Sequence, residues 1–261
     1  MDFRDLGLSE QTVKAIDEYG ITTPTTVQAD VIPAILEGRD IFTIAPARCG
    51  KTMSYVLPLL DIINNKKAKN ILIITANSQM AVKTSDCLAV FNKYHEIDGS
   101  KINEGDDMAS DEANVIIGAP DLLLEVADGA KVDLGLIDIL VVDDINLIKK
   151  NKQLDNLEKV LAMLPPNKQN VVYTNRRSKE TQDILSKIMQ TPAEIKINKD
   201  KESEAENSRA EVAKSDKKSR PTFSEVIDNE AVELSKRNNS FNGKTPHFLL
   251  VKGIVAEGEE K

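Results

Sequence analysis

Short runs of apolar residues recur along the first 198 positions, and most of them are apolar throughout instead of alternating with polar residues. Strands that are apolar on both faces are typical of a parallel sheet covered by helices on both sides. The six runs predicted to be strands are residues 40–44, 70–75, 114–119, 137–144, 169–174 and 193–198. The pattern therefore predicts a mainly parallel sheet.

Segments with helical periodicity lie before and between these runs. Ser9 is a candidate N-cap for the first segment, and Gly20 and Gly38 are stop signals for the first and second. The predicted helices are residues 10–19, 25–37, 51–64, 78–92, 120–127, 152–164 and 178–189. Alternating strands and helices predict an α/β fold with a doubly wound sheet in three layers, α/β/α, and right-handed crossovers.

The alternation ends near Asn198, so we predict one α/β domain at residues 1–198. Residues 199–220 carry seven positive and six negative charges and almost no large apolar residues, which predicts a disordered linker instead of a basic RNA-binding tail. Residues 221–261 are too few to form a good core of their own. We predict a C-terminal extension there, either poorly ordered or bound to a partner.

Composition narrows the class of protein. The chain has 42 acidic and 34 basic residues and a net charge of −8, so any contact with nucleic acid has to be local. Cys49 and Cys87 form neither a disulfide framework nor a metal-binding spacing. The N-terminus has no apolar signal core, and no apolar run reaches the roughly 18 residues of a membrane span. We therefore expect a cytoplasmic protein without membrane contact.

The segment APARCGKT, residues 45–52, follows the first predicted strand and opens a helix. In a phosphate-binding loop, backbone N–H groups and the helix dipole face the phosphates, a lysine reaches the terminal phosphates and the next hydroxyl holds Mg²⁺. Lys51 and Thr52 occupy those two positions. The alternative is an accidental GKT tripeptide at a helix start.

Arg48 stands inside this loop, where a small residue is expected. If the position requires a positive φ, arginine costs on the order of 1 kcal/mol or more there. The alternative is that its guanidinium group folds onto the phosphates.

The fourth apolar run ends in two carboxylates, Asp143 and Asp144. In P-loop enzymes an aspartate at such a strand end holds Mg²⁺, and an acidic neighbour positions the attacking water. The alternative is a pair of aspartates that opens a polar turn. We predict a metal site of Thr52 and Asp143, and catalytic roles for Asp144 and Lys51.

These segments, in their order and spacing, resemble the first RecA-like domain of a DEAD-box RNA helicase over residues 1 to about 198. GITTPTTVQ at 20–28 resembles the family's Q motif, and the later motifs have counterparts in ANSQMA at 76–81, GAPDLLLE at 118–125, DDIN at 143–146 and YTNR at 173–176. The resemblance implies a P-loop NTPase fold of the RecA type, ATP or ADP with Mg²⁺ as ligands, and single-stranded RNA as a partner.

The resemblance also assigns nucleotide contacts. Gln28 would read the adenine edge, and Phe3 would brace that region. The complete predicted set is Phe3, Ile21, Gln28, Ala45, Ala47, Arg48, Cys49, Gly50, Lys51 and Thr52.

Several positions depart from the family pattern. Ile21 replaces an aromatic residue that stacks on adenine, and Ser78 and Leu122 replace arginines that contact RNA. Asp144 replaces a catalytic glutamate, which draws the carboxylate back by about 1.5 Å. A misplacement near 1 Å can reduce a rate by about a hundredfold. These changes predict weak RNA binding and weak or absent hydrolysis.

Residues 199–261 do not resemble the family's second RecA-like domain, whose arginine fingers are worth roughly 10³ to 10⁵ in rate in related enzymes. We therefore predict a domain that binds ATP and Mg²⁺ but does not unwind RNA on its own. One alternative is an interaction module that has lost nucleotide binding. Another is a helicase that works with a partner polypeptide supplying the second RecA-like domain.

Overall fold

The computed structural model describes residues 1–95, 114–129 and 132–197, and in these ranges six strands form one parallel sheet. The spatial order of the strands is β3-β2-β4-β5-β1-β6. The strands are β1 Ile41–Ile44, β2 Asn70–Ile74, β3 Asn114–Gly118, β4 Ile139–Val142, β5 Gln169–Thr174 and β6 Ala193–Lys196. The predicted parallel α/β fold is confirmed, whereas the linker and extension predicted for 199–261 lie outside the described residues.

The central strands β2 and β4 are almost entirely apolar because each face of the sheet carries its own hydrophobic core. Ile71 and Ile73 of β2 face one core, and Leu72 and Ile74 face the other. The residues of β4 alternate between the two cores in the same way. Every second side chain of a strand points to the opposite face, so a strand buried on both faces needs no polar position.

Helices cover both faces, which gives the predicted three layers. Side chains of α1 to α4 contribute to one core, and side chains of α5 to α8 contribute to the other. The helices are α1 Glu10–Glu18, α2 Thr26–Leu36, α3 Lys51–Asn64, α4 Ser78–Phe91, α5 Pro120–Asp128, α6 Ile145–Lys150, α7 Leu154–Ala162 and α8 Lys179–Ile188. In the described part of the chain, no helix combines the length and the apolar character needed to cross a bilayer.

The sequence pattern misplaced one boundary that matters for the site. The predicted strand at 137–144 spans only Ile139–Val142, and the short helix α6 was not predicted. The strand ends early because the backbone of Asp144 turns to φ 68° and its side chain becomes the N-cap of α6. The predicted N-cap Ser9 is confirmed, since its hydroxyl accepts a hydrogen bond from the Thr12 amide.

A buried polar cluster ties the start of α1 to the middle of α3. The carboxylate of Asp61 accepts hydrogen bonds from the backbone N–H and the hydroxyl of Ser9, both at 2.6 Å, and from the hydroxyl of Thr12. Since Thr12 donates to Asp61, its oxygen accepts from His95 Nε2–H at 2.8 Å. In this network His95 carries a proton on Nε2, and its buried Nδ1 has no hydrogen-bond partner among the described residues.

We expect this cluster to make stability depend on pH. Burial lowers the pKa of His95, and the nearby charge of Asp61 opposes the shift. Because the folded pKa lies below the unfolded value of about 6.5, the folded state resists protonation, and its stability falls as the pH drops below that value. Urea unfolding of the wild type and His95→Gln at pH 7.5 and pH 5 measures this. The advantage of the wild type should shrink at pH 5, and a constant difference would contradict the prediction.

Candidate functional site

The loop at residues 45–50 connects β1 to the N-terminus of α3 at the carboxyl edge of the sheet. The Ala45 amide still donates to Thr174 O at 2.9 Å, so the loop leaves the sheet from a fixed point beside β5. Gly50 precedes the helix with φ 87°, and no side chain caps the first turn of α3. The first amide groups of a 14-residue helix are thus left for a ligand, as in a phosphate-binding loop.

The loop carries the backbone strain that its sequence predicts. Arg48 has φ 66°, a conformation that an arginine adopts at a cost of roughly 1–2 kcal/mol. Its side chain is exposed, as is Ala47, whereas Cys49 is buried and its thiol contacts Pro46 O at 3.1 Å. The interior of the loop is therefore lined by backbone and by Lys51, not by the guanidinium group.

Lys51 brings the loop together with the end of β4. Its Nζ lies 3.4 Å from Ala45 O and 3.5 Å from Asp144 Oδ2. Strand β5 separates β1 from β4, but because all three are parallel their carboxyl ends meet at one edge. Both side chains are nearly buried, at 12% and 11% exposed, so their charges are only partly screened by water.

Asp143 is buried directly behind this pair. Burial raises its pKa to about 6, the charge of Asp144 adds to the rise, and the charge of Lys51 opposes it. Among the described residues Asp143 forms no ion pair, and its partner is the Tyr55 hydroxyl at 3.5 Å. A buried carboxylate without a cation is an unfavourable arrangement unless a cation joins it.

These residues fit a magnesium ion. Thr52 lies half-buried in the first turn of α3, so Thr52 and Asp143 offer only oxygen ligands, which is the set that Mg²⁺ takes. In 1–95, 114–129 and 132–197 no group of three or more His, Cys, Asp or Glu side chains is arranged to hold a metal ion. The fit is that of an ion held by one or two protein oxygens together with phosphates and water.

Asp144 is held by two opposite partners. Its Oδ1 accepts from the Leu147 amide at 3.2 Å as the N-cap of α6, and its Oδ2 faces Lys51. The positive φ and the cap keep this carboxylate close to its own backbone. As placed, the Asp144 carboxylate acts as a helix cap and as a counter-ion of Lys51.

Asn146 joins α6 to the end of β5. Its Nδ2 lies 2.6 Å from Thr174 Oγ1, 3.1 Å from Asn175 Oδ1 and 2.7 Å from Arg176 O. The DDIN and YTNR segments are therefore in direct contact. An open cavity of about 560 Å³ adjoins them, lined by Asn146, Leu147, Lys149, Lys150, Asn175 and Arg176.

Gln28 packs directly against the loop. Its Oε1 accepts from the Thr25 amide at 2.8 Å, and its Nε2 lies 3.4 Å from Gly50 O. It is buried, so its amide is committed to Thr25 and Gly50 in this state. Phe3 lies within the hydrophobic core, and Ile21 packs against the same core from a partly exposed position.

Sequence reasoning missed a group of buried hydroxyls beneath the carboxylates: Ser54, Tyr55, Thr84 and Tyr173. Burial raises the pKa of Tyr55 well above its ordinary value, and the charge of Asp143 adds to this, so Tyr55 keeps its proton. One signal was available, because Tyr55 follows Lys51 by four residues and i, i+4 residues share a helix face. The partner of its hydroxyl could be found only from the fold.

Comparisons with known proteins point to one family. Residues 25–184 match the family model described as DEAD/DEAH box helicase. An ATP-dependent RNA helicase DeaD of Haemophilus influenzae is 28% identical over 203 residues, which cover 75% of this chain and 33% of that protein. The DEAD-box ATP-dependent RNA helicase RhpA of Helicobacter pylori is 26% identical over 201 residues, or 75% of this chain and 41% of RhpA.

Solved structures show the same fold. A DEAD box protein from Methanococcus jannaschii superposes with a TM-score of 0.68 at 24% identity, covering 76% of this chain and 56% of that one. A hypothetical ATP-dependent RNA helicase from Sulfolobus tokodaii gives a TM-score of 0.63 at 20% identity, covering 73% and 57%. The chain thus spans between a third and about half of these relatives. Since the family model matches residues 25–184, which is more than half of the chain, this chain belongs to the DEAD/DEAH box helicase family.

Proposed function

We propose that this chain is a RecA-like domain that binds ATP or ADP with Mg²⁺, contacts single-stranded RNA weakly, and hydrolyses ATP slowly or not at all. One observation carries the proposal: the ammonium group of Lys51 lies between the loop carbonyl of Ala45 and the carboxylate of Asp144. A phosphate group exchanged for these two acceptors would keep the charge of Lys51 balanced.

Each residue of the site has a separable role in this proposal. Lys51 and the first amide groups of α3 would hold the phosphates, and Gly50 lets the backbone approach them. Thr52 and Asp143 would hold Mg²⁺, which supplies charge neutralisation of the phosphate oxygens when bound. The side chain of Gln28 would respond when nucleotide binds in the loop, because its amide already contacts Gly50 O.

Weak hydrolysis follows from the position of Asp144. The carboxylate caps α6 and faces Lys51, and its side chain is one methylene shorter than glutamate. A general base has to lie within hydrogen-bond reach of the water that it activates. Weak RNA contact follows from Asp121, whose exposed carboxylate accepts from Gln153 Nε2 at 2.8 Å in the segment proposed to face the RNA backbone.

Isothermal titration with ATP and with ADP, with and without Mg²⁺, tests nucleotide binding. We expect the wild type to bind, and Lys51→Ala to weaken binding by about a hundredfold or more, because it removes the nearly buried cation of the loop. Lys187→Ala serves as the matched control, since Lys187 is an exposed lysine paired with Glu158. Wild-type affinity in Lys51→Ala would contradict the proposal.

A turnover assay with single-stranded RNA then tests hydrolysis, and a duplex assay tests unwinding. We expect little or no RNA-stimulated turnover and no strand separation by this chain. Unwinding that appears only when a second polypeptide is added would support a partner that supplies the other RecA-like domain.

We place the protein in the cytoplasm, where RNA and ATP are both available.

A second candidate function, an interaction module without nucleotide binding, is favoured by Arg48 and Asp144. Arg48 strains the loop with φ 66°, and Asp144 already neutralises Lys51. This candidate predicts no binding heat with either nucleotide in the titration above. The nucleotide titration therefore distinguishes the two candidate functions.

A further inference from the structure

A layer of hydroxyl groups lies buried beneath the carboxylates of the site. Tyr55 and Tyr173 are both fully buried, and their ring centroids are 5.5 Å apart. Ser54 and Thr84 supply hydroxyls to the same layer. A buried polar group without a hydrogen bond destabilises the fold, so each hydroxyl of this layer helps to hold its hydrogen-bond partner in place.

The hydroxyl of Tyr55 lies between Thr84 and Asp143. Its Oη is 3.2 Å from Thr84 Oγ1 and 3.5 Å from Asp143 Oδ2. A carboxylate can only accept, so Tyr55 donates to Asp143, and the lone pairs of Tyr55 are left to accept from Thr84. Asp143 is thereby connected through α3 to α4.

We propose that Tyr55 is a positioning residue that orients the Asp143 carboxylate toward Mg²⁺. This inference rests on the proposed function. The hydroxyl of Tyr55 contacts one carboxylate oxygen, Oδ2, at 3.5 Å, which favours one rotation of the group and leaves Oδ1 available to the metal. Hydrogen-bond partners behind a metal ligand orient it and raise its affinity for the ion in other metal sites.

Tyr173 lies in the same layer and provides a control for Tyr55. Its Oη lies 2.8 Å from Ser54 Oγ, and Ser54 Oγ donates to Lys51 O at 2.6 Å. The Tyr173 hydroxyl is therefore part of a buried network like that of Tyr55, but it makes no hydrogen bond to Asp143. Replacing either tyrosine by phenylalanine removes one hydroxyl from the same core and keeps the ring.

The test compares Tyr55→Phe with Tyr173→Phe. ATP affinity is measured by isothermal titration in EDTA and at a series of Mg²⁺ concentrations, and urea unfolding reports the stability of both variants. For Tyr55→Phe we expect the Mg²⁺ concentration that gives half of the affinity gain to rise about tenfold, with Mg²⁺-free affinity within about twofold of the wild type. For Tyr173→Phe we expect neither quantity to change.

The outcomes separate the two proposals. If the wild type depends on Mg²⁺ and Tyr55→Phe shows the same dependence, the role of Tyr55 is overturned while nucleotide binding stands. If both variants weaken Mg²⁺-dependent binding equally, the effect belongs to the hydroxyl layer as a whole, and the role is again overturned. If the wild type binds no nucleotide, or binds it without regard to Mg²⁺, the proposed metal site fails and the role of Tyr55 fails with it.

Discussion

Replacing Asp61 by alanine is expected to lower the free energy of unfolding by about 3–5 kcal/mol. Asp61 is 2% exposed and accepts from the Ser9 amide, the Ser9 hydroxyl and the Thr12 hydroxyl. The substitution leaves these donors without an acceptor inside the protein. Since α1 begins at this cluster, the loss should appear as loosening of α1 against α3.

Urea unfolding measures the change, and Asp17→Ala is the control. Asp17 is an acidic residue whose ion pair with Arg4 is about half exposed on both sides, and exposed pairs contribute roughly 0–1 kcal/mol. We expect a loss within that range for Asp17→Ala. If Asp61→Ala were as mild as Asp17→Ala, the buried cluster would not contribute to stability as described.

Replacing Gly50 by alanine is expected to lower stability by about 2–4 kcal/mol and to abolish nucleotide binding. A Cβ atom at this position would lie 2.7 Å from Gln28 Nε2 and 2.9 Å from Thr25 Oγ1, with the backbone at φ 87°. Both neighbours belong to the capping box at the start of α2. The side chains of Gln28 and Thr25 would have to give up their capping contacts or the loop would have to move, and movement of the loop displaces the amide groups proposed to face the phosphates.

Gly38→Ala separates backbone strain from crowding. Gly38 has φ 75°, but nothing lies within 4 Å of a Cβ built there, so we expect a loss of only about 1 kcal/mol and unchanged ATP affinity. Urea unfolding and ATP titration of both variants give the comparison. Equal losses of stability in the two variants would mean that crowding against Gln28 and Thr25 does not contribute to the effect of Gly50→Ala.

The fold was predictable because burial on both faces leaves a direct mark on the sequence. The run at 70–75 is apolar at all of its central positions, and the structure places β2 there, at Asn70–Ile74. Helix α6 was missed because it has only six residues and begins at an aspartate with positive φ, which periodicity cannot detect. The sequence pattern thus predicts the long elements better than it predicts the short turn and helix beside the site.

The candidate site was predictable where a single rule of topology applies. Parallel strands end at one edge, which places Lys51 beside Asp144. The contacts of Tyr55 with Asp143 and of Asn146 with Thr174 depend on how α3 and α6 pack against their neighbours, and neither follows from sequence spacing. The committed amide of Gln28 likewise appears only when α2 is packed against the loop.

The position of β5 between β1 and β4 fixes the width of the site. Neighbouring strands lie about 4.8 Å apart, so β1, which leads into the loop, and β4, which ends at the acids, are separated by roughly 10 Å. The loop and the long stem of Lys51 together cross this lateral gap, because Lys51 Nζ reaches Asp144 Oδ2 at 3.5 Å. A ligand held between the loop and the acids therefore lies over the end of β5.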